Sequence, residues 1–265
     1  MVFDSDKVMR GYIEGYYGKI LKWSERKKII IKLASCKMNT YLYAPKEDVN
    51  HRLNWKRKYN KRWLSNFKNF CSFANQKNVR ILAGIAPGLS FNYNYITIGA
   101  NHNDFETLKN KALSLLNLGA SNIVLLLDDI PDHFESKNKL SEGFLHAKLA
   151  NDLSKSIKKN IYFVPRIYSN EQIIEKPSYL KDLAKNINPL IKLFYCGEDM
   201  VSKSILRSDL ASISSNFRNK IIFWDNLYAN DYCPRKLFVG KWKNRDHDLN
   251  ILINPTGMIN TDLFI

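Results

Sequence analysis

Asp128 and Asp129 stand side by side at the end of an apolar run, Asn122-Ile-Val-Leu-Leu-Leu127. Two carboxylates there are expensive unless they have chemistry or partners. One ionised and one protonated carboxyl could form an acid/base centre. Three other readings compete. Asp128-Asp129-Ile130-Pro131-Asp132 also fits the aspartate-rich sequence that holds magnesium on helices of prenyl-transferring enzymes, but Pro131 disfavours helix at Ile130. His133, Glu135 and His146 could bind a metal, although no helical His-x-x-x-His or cysteine frame supports them. Finally, Asp129 could cap the next helix while Asp128 pairs with a lysine.

The elements that must position the pair narrow the choice. The run before it reads as a buried strand, with Gly119 ahead and Pro131 behind. Further strands are expected at 12–17, 40–44, 80–86, 161–167, 192–196, 221–225 and 250–253. Helical stretches fall between the earlier ones, at 24–36 with a serine cap, 62–76 with an aromatic face of Phe67, Phe70 and Phe73, 104–118, and 140–159. This alternation is the cadence of an α/β (β/α)₈ TIM barrel, one catalytic domain over residues 1–265 with no accessory domain. Only residues 254–265 follow the last strand, so the closing eighth helix should be short or missing. On such a barrel, active sites form where the strands end. Aromatics, amides and carboxylates recur there, which is what a sugar pocket requires.

Composition excludes several classes. No run is long and apolar enough for a membrane span, and the start lacks a secretory pattern. Cys36, Cys71, Cys196 and Cys233 are scattered, as in a reduced cytoplasmic protein. A net charge of +16 could attract nucleic acid or an acidic glycan, yet it is dispersed and no nucleic-acid motif accompanies it. The densest segment, residues 46–62, interleaves Arg52, Lys56, Arg57, Lys58 and Lys61 with Trp55 and Tyr59, just ahead of Trp63.

Ile13-Glu-Gly-Tyr-Tyr-Gly18, Asn39-Thr-Tyr-Leu-Tyr-Ala-Pro-Lys46, Leu127-Asp-Asp-Ile130 and Trp224-Asp-Asn226 with Ala229-Asn-Asp-Tyr232 follow in order. Together they resemble glycoside hydrolase family 84, which contains protein O-GlcNAcases and bacterial β-N-acetylglucosaminidases, often labelled hyaluronidases. The resemblance runs from about Gly11 to Asn254. It implies removal of terminal β-linked N-acetylglucosamine with retention, the substrate's own acetamide acting as nucleophile through an oxazoline. Asp128 would hold the acetamido N–H, and Asp129 would protonate the leaving oxygen. Asp129 is then expected to have a raised pKa and start protonated while Asp128 stays ionised. Gly15 would offer a backbone contact, Lys46 a contact to a ring hydroxyl, and Tyr168 a hydrogen bond near the oxazoline. Trp224 and Tyr17 would wall the pocket, and Asn226, Asp231 and Asn254 would bind hydroxyls. No metal or organic cofactor is implied.

Departures from the family pattern lie around the pocket: Arg166-Ile167, Tyr195-Cys196-Gly197 and Ser90. They bear on the aglycone, for which the basic 46–62 segment favours an anionic group read by Lys56, Arg57 and Lys58. The short closing helix predicts a homodimer or another partner over the eighth strand. An inactive N-acetylglucosamine-binding barrel and a basic polyanion- or nucleic-acid-binding protein are the alternatives.

Overall fold

The computed structural model describes residues 7–98, 103–131, 140–174, 176–233 and 235–265. Eight parallel strands close into a barrel in chain order. They are β1 (Arg10–Glu14), β2 (Thr40–Tyr43), β3 (Arg80–Ile85), β4 (Asn122–Leu126), β5 (Tyr162–Val164), β6 (Lys192–Tyr195), β7 (Ile221–Asp225) and β8 (Ile251–Ile253). Each reads as a nearly continuous apolar run because both of its faces are covered. Alternate residues divide between two cores. Ile13, Leu42, Leu82, Val124, Phe194 and Leu252 fill the barrel, whereas Ile81, Ile123, Phe163, Leu193 and Phe223 join the cluster that includes the helices. β1 approaches β2 so closely that a Cβ on Gly11 would meet the Thr40 carbonyl oxygen at 1.7 Å.

The helices are α1 (Trp23–Ser35), α2 (Lys61–Gln76), α3 (Tyr95–Ile98), α4 (Asn103–Asn117), α5 (Glu142–Ser156), α6 (Pro177–Asn186), α7 (Arg207–Ser214) and α8 (Ile259–Phe264). The serine cap expected at Ser24 is not used. Lys22 is the N-cap of α1, and its backbone N–H donates to the Glu25 carboxylate at 2.7 Å. α2 is capped by Asn60, whose side chain accepts from Trp63 N–H at 2.8 Å. The closing helix α8 is present with only six residues. Buried Asp262 anchors it, accepting from the Tyr12 hydroxyl at 2.8 Å and from the N–H groups of Thr256 and Gly257.

β1 ends at Glu14, short of the expected Tyr17. The N–H of Gly15 donates to the Asn254 side chain at 3.2 Å and that of Tyr17 to Asp231 at 2.9 Å. Backbone groups that would extend the sheet are thus diverted into the rim.

The 46–62 segment is mostly structural. Trp55 is fully buried against Phe91, and Tyr59 stacks on Trp63 with ring centroids 3.5 Å apart. Lys111 pins the segment, its ammonium donating to the carbonyls of Asn50, Trp55 and Arg57. Lys56 pairs with Asp104 at 2.7 Å.

Candidate active site

β4 stops at Leu126, and Asp128 and Asp129 follow at its carboxyl end. Asp129 has a left-handed backbone, φ 53°, so the pair does not sit on a helix and the magnesium-binding reading falls. Nor does Asp129 cap α5, whose N-cap is Ser141. Asp132, His133 and Glu135 lie outside the described residues. His146 is buried in α5, with Nδ1 2.9 Å from the Tyr179 hydroxyl. Among the described residues no group of three or more His, Cys, Asp or Glu side chains could hold a metal. One bland expectation does hold: Asp128 pairs with a lysine, Lys46, but it does so inside a cavity.

That cavity, about 700 Å³, opens at the carboxyl end of the barrel and gathers the ten sugar-site residues that the family resemblance implied: Gly15, Tyr17, Lys46, Asp128, Asp129, Tyr168, Trp224, Asn226, Asp231 and Asn254. They come from the loops after β1, β2, β4, β5, β7 and β8, with Trp224 within β7. The Lys46 ammonium lies 2.5 Å from Oδ2 of Asp128 and 3.2 Å from Oδ2 of Asp129. Asp129 also accepts from the hydroxyls of Tyr17, at 2.8 Å, and Tyr168, at 3.1 Å. The second oxygen of Asp128, Oδ1, is buried and has no hydrogen-bond partner among the described residues. On the far wall, Trp224 Nε1 donates to Asn226 Oδ1 at 2.9 Å, which also accepts from Asn254 Nδ2 at 2.9 Å. Gly15 keeps Trp224 flat against the wall, because a Cβ there would stand 2.5 Å from Cζ2 of the indole.

The charge distribution reverses one expectation. Burial pushes the Asp128 carboxyl above its ordinary value, and the Asp129 charge adds to that, against the pull of Lys46. Burial also opposes ionisation of Asp129. There the Lys46 charge and hydrogen bonds from Tyr17, Lys46 and Tyr168 win, holding it below its ordinary value. The outer carboxyl is therefore the one pushed down and the inner one the one pushed up. Burial likewise disfavours the Lys46 ammonium, but its two carboxylate neighbours outweigh that and raise its pKa.

Two acids from the same motifs serve structure instead. Glu14 is fully buried and bonded to Arg26, the Tyr41 hydroxyl and Leu21 N–H. Asp225 takes two bonds from Arg245 and one from Trp242. Both fall on the strand face opposite to the barrel filling, which alternation from Ile13 and Trp224 could have revealed. Sequence reading does not single out Glu171, Phe194 or Met200, which also line the cavity, and it notes Cys196 only as a departure from the family pattern around the pocket. Phe194 and Cys196 share inward register on and after β6, a readable signal; Glu171 and Met200 come from loops without a motif. Arg166 pairs with Glu142 at 2.6 Å, and Ser90 accepts from Trp55 Nε1 at 3.1 Å, so both departures make local contacts. Lys56, Arg57 and Lys58 do not line the cavity; Lys46 and Arg52 are the cations of that segment that reach the pair.

A sequence profile described as beta-N-acetylglucosaminidase (NAGidase) matches residues 10–259, which include every cavity residue named above. The chain belongs to this family. It is similar to the Protein O-GlcNAcase of Rattus norvegicus, at 28% identity over 258 residues, 92% of this chain and 28% of the relative. The Mus musculus Protein O-GlcNAcase matches to the same extent. This beta-N-acetylglucosaminidase-family chain thus spans under a third of those relatives' length. A solved structure of an Asp-to-Asn mutant of the Thermobaculum terrenum O-GlcNAc hydrolase superposes with a TM-score of 0.87 at 25% identity, over 96% of this chain and 56% of that one.

Proposed function

We propose that this protein is a retaining β-N-acetylglucosaminidase of the O-GlcNAcase type, removing terminal β-linked N-acetylglucosamine with the substrate's acetamide as nucleophile. The observation that carries this is the asymmetry of Asp128. Its Oδ2 is held by Lys46 while buried Oδ1 has no partner among the described residues, and an acetamido N–H is the kind of donor that site would take. Adjacent carboxylates joined by one ammonium are poorly placed to flank a sugar as acid and protein nucleophile. They are well placed to serve one face of a reaction in which the nucleophile comes from the substrate.

In this reading Asp128 orients the acetamide so that its carbonyl oxygen attacks C1. The bond from C1 to the leaving oxygen breaks as Asp129 donates its proton to that oxygen, giving an oxazolinium ion whose N–H stays hydrogen-bonded to Asp128. Water then attacks C1, Asp129 takes its proton, and the oxazolinium opens to restore the acetamide. Asp129 must arrive protonated, whereas Lys46, Tyr17 and Tyr168 hold its pKa below the ordinary value. Sugar binding supplies the change by burying Asp129 further and drawing the Tyr168 hydroxyl towards the oxazoline, both of which raise the Asp129 pKa. Trp224 would pack on the acetamido methyl, and Asn226, Asp231 and Asn254 would exchange their mutual bonds for sugar hydroxyls.

The test is hydrolysis of 4-methylumbelliferyl N-acetyl-β-glucosaminide by wild type, Asp128→Asn and Asp129→Asn. Turnover in wild type and its collapse in both variants is expected. Folded wild type that binds N-acetylglucosamine derivatives without turnover would replace this reading with the binding barrel. We place the activity in the cytoplasm, in keeping with four free cysteines; no helix among the described residues is long and apolar enough to cross a membrane. A second copy of the chain would cover exposed Met258 and Phe264 beside the eighth strand, and a monomer by light scattering would remove that part.

A further inference from the structure

The closing helix α8 is tied to two of the loops that build the sugar pocket. Ile259 and Leu263 pack the helix on the core, so apolar contact already seats its six residues. Asp262, beside Leu263, is buried at 8% exposure and receives four hydrogen bonds. Its Oδ1 accepts from the Thr256 N–H at 3.1 Å and from the Thr256 hydroxyl at 2.6 Å. Its Oδ2 accepts from the Gly257 N–H at 3.0 Å and from the Tyr12 hydroxyl at 2.8 Å. Burial raises the Asp262 pKa in spite of these bonds. A carboxylate is therefore a costlier anchor for the helix than another apolar side chain would be.

Two branches lead from Asp262. The first runs through Tyr12, whose hydroxyl oxygen lies 2.9 Å from that of Tyr16. A phenol has one proton to give. Tyr12 gives its proton to Asp262, so Tyr16 is the donor between the two tyrosines. This relay fixes Tyr16, which is fully buried and sits in the chain between Gly15 and Tyr17.

The second branch is the turn after β8. Thr256 and Gly257 follow shortly after Asn254, and Gly257 is left-handed at φ 71°. A Cβ on Gly257 would stand 2.4 Å from the Tyr16 ring, so the two branches pack on one another. They meet again at the pocket wall, where the Gly15 N–H donates to the Asn254 side chain. Tyr12, Tyr16, Thr256 and Asp262 do not line the cavity. Their effect on a sugar passes through Gly15, Tyr17 and Asn254, and a misplacement of about 1 Å at such contacts is costly.

We propose that Asp262 is a positioning residue of the sugar site: from α8 it fixes the 15–17 loop against the Asn254 turn, so that both present their groups to one sugar. The inference rests on the reading of this pocket as an N-acetylglucosamine site.

Asp262→Asn tests it, because the variant keeps the size of the side chain but turns an amide NH2 towards donors. KM for 4-methylumbelliferyl N-acetyl-β-glucosaminide and the Kd of N-acetylglucosamine, by fluorescence titration, should each rise about tenfold, and kcat should change by less than about threefold. That split is expected because Gly15 and Asn254 would hold the sugar equally before and during reaction. The rise should be the same for good and poor aryl leaving groups. Tyr16→Phe removes one hydroxyl of the relay and should raise KM by about threefold; it decides alone should Asp262→Asn fail to fold. Asn260→Ala, exposed on the same helix, should change neither constant. A residue serving the fold alone would lower the melting temperature and leave KM of the folded enzyme at its wild-type value, which overturns the proposal. An equal rise in Asn260→Ala overturns it too. Wild type that binds the sugar without turnover removes the glycosidase and leaves this inference to the Kd values. Wild-type turnover with unchanged constants in Asp262→Asn and Tyr16→Phe removes this inference alone.

Discussion

Arg52 holds the backbone of Asp129: its Nη2 donates to the Asp129 carbonyl at 2.8 Å, beside a left-handed φ of 53°. A non-glycine residue in that conformation is strained unless its surroundings fix it. The same guanidinium lies 5.6 Å over the Tyr17 ring, and Tyr17 donates to the Asp129 carboxylate. One side chain therefore supports both halves of the proposed acid.

Arg52→Gln should lower kcat about tenfold, the cost of a charge-assisted bond, and change KM far less. The deficit should grow as the leaving group becomes more basic, since only then is the acid's placement limiting. A series of aryl N-acetyl-β-glucosaminides measures this. A uniform loss across the series would mean that Arg52 serves the fold alone.

Lys46 is the cation common to both carboxylates, and its removal should move them together. An opposite charge at this distance lowers a carboxyl pKa by about 1–3 units. In Lys46→Gln both groups lose that stabilisation of the ionised form, so the acidic limb of kcat/KM should shift to higher pH by about one unit or more. Profiles of wild type and variant between pH 4 and 8 give the answer, and an unmoved limb contradicts it.

The contact between Gly15 and Trp224 sets the shape of the pocket wall. Gly15→Ala places a methyl where the indole stands, and such overpacking costs about 1–3 kcal/mol. The indole can yield towards the sugar pocket that it lines. KM should rise about tenfold or more, with a change in tryptophan fluorescence and a fall in thermal stability. Unaltered KM would show that the wall yields elsewhere.

The barrel was legible because each buried strand is a short apolar run and the alternation is regular from Arg10 to Ile253. The site was legible because its residues sit at those strand ends in motifs. Less legible was anything decided by partners distant in sequence. The opposite pKa shifts of Asp128 and Asp129 depend in part on Tyr17 and Tyr168 reaching one carboxylate and not the other. The basic segment resembled a binding surface until Lys111 and Phe91 were seen to bury its aromatic side. Nothing local separates Glu14 from a catalytic acid except the side of the strand it occupies.

The Asp225–Arg245 pair is a prediction about stability. Both side chains are buried, 2.9 Å apart, and Arg245 also donates to the carbonyls of Ser202, Lys203 and Lys243. Removing one partner of a buried pair leaves an uncompensated charge and costs about 3–5 kcal/mol. Asp225→Ala should lose that much in chemical denaturation, and Arg245→Met a comparable amount. A loss under about 1 kcal/mol would put the pair among surface ion pairs.

Two buried histidines make stability depend on pH. His51 and His146 are each pushed down to about 3, by burial first and then by nearby Lys46 and Arg166 respectively. The unfolded chain protonates them near 6.5, so between those values the unfolded state binds more protons and stability falls as pH falls. Each histidine should contribute a slope of about 1.4 kcal/mol per pH unit below 6.5. The interval from pH 6 to 5 isolates it, because ordinary carboxylates stay ionised in both states there. His51 holds Nδ1 3.0 Å from the Gly84 carbonyl and has no partner at Nε2, so His51→Asn keeps a donor at the site without the titration. Urea denaturation across that interval should show the slope reduced by about 1.4 kcal/mol per unit in the variant, and an unchanged slope would mean that His51 is protonated in the folded protein.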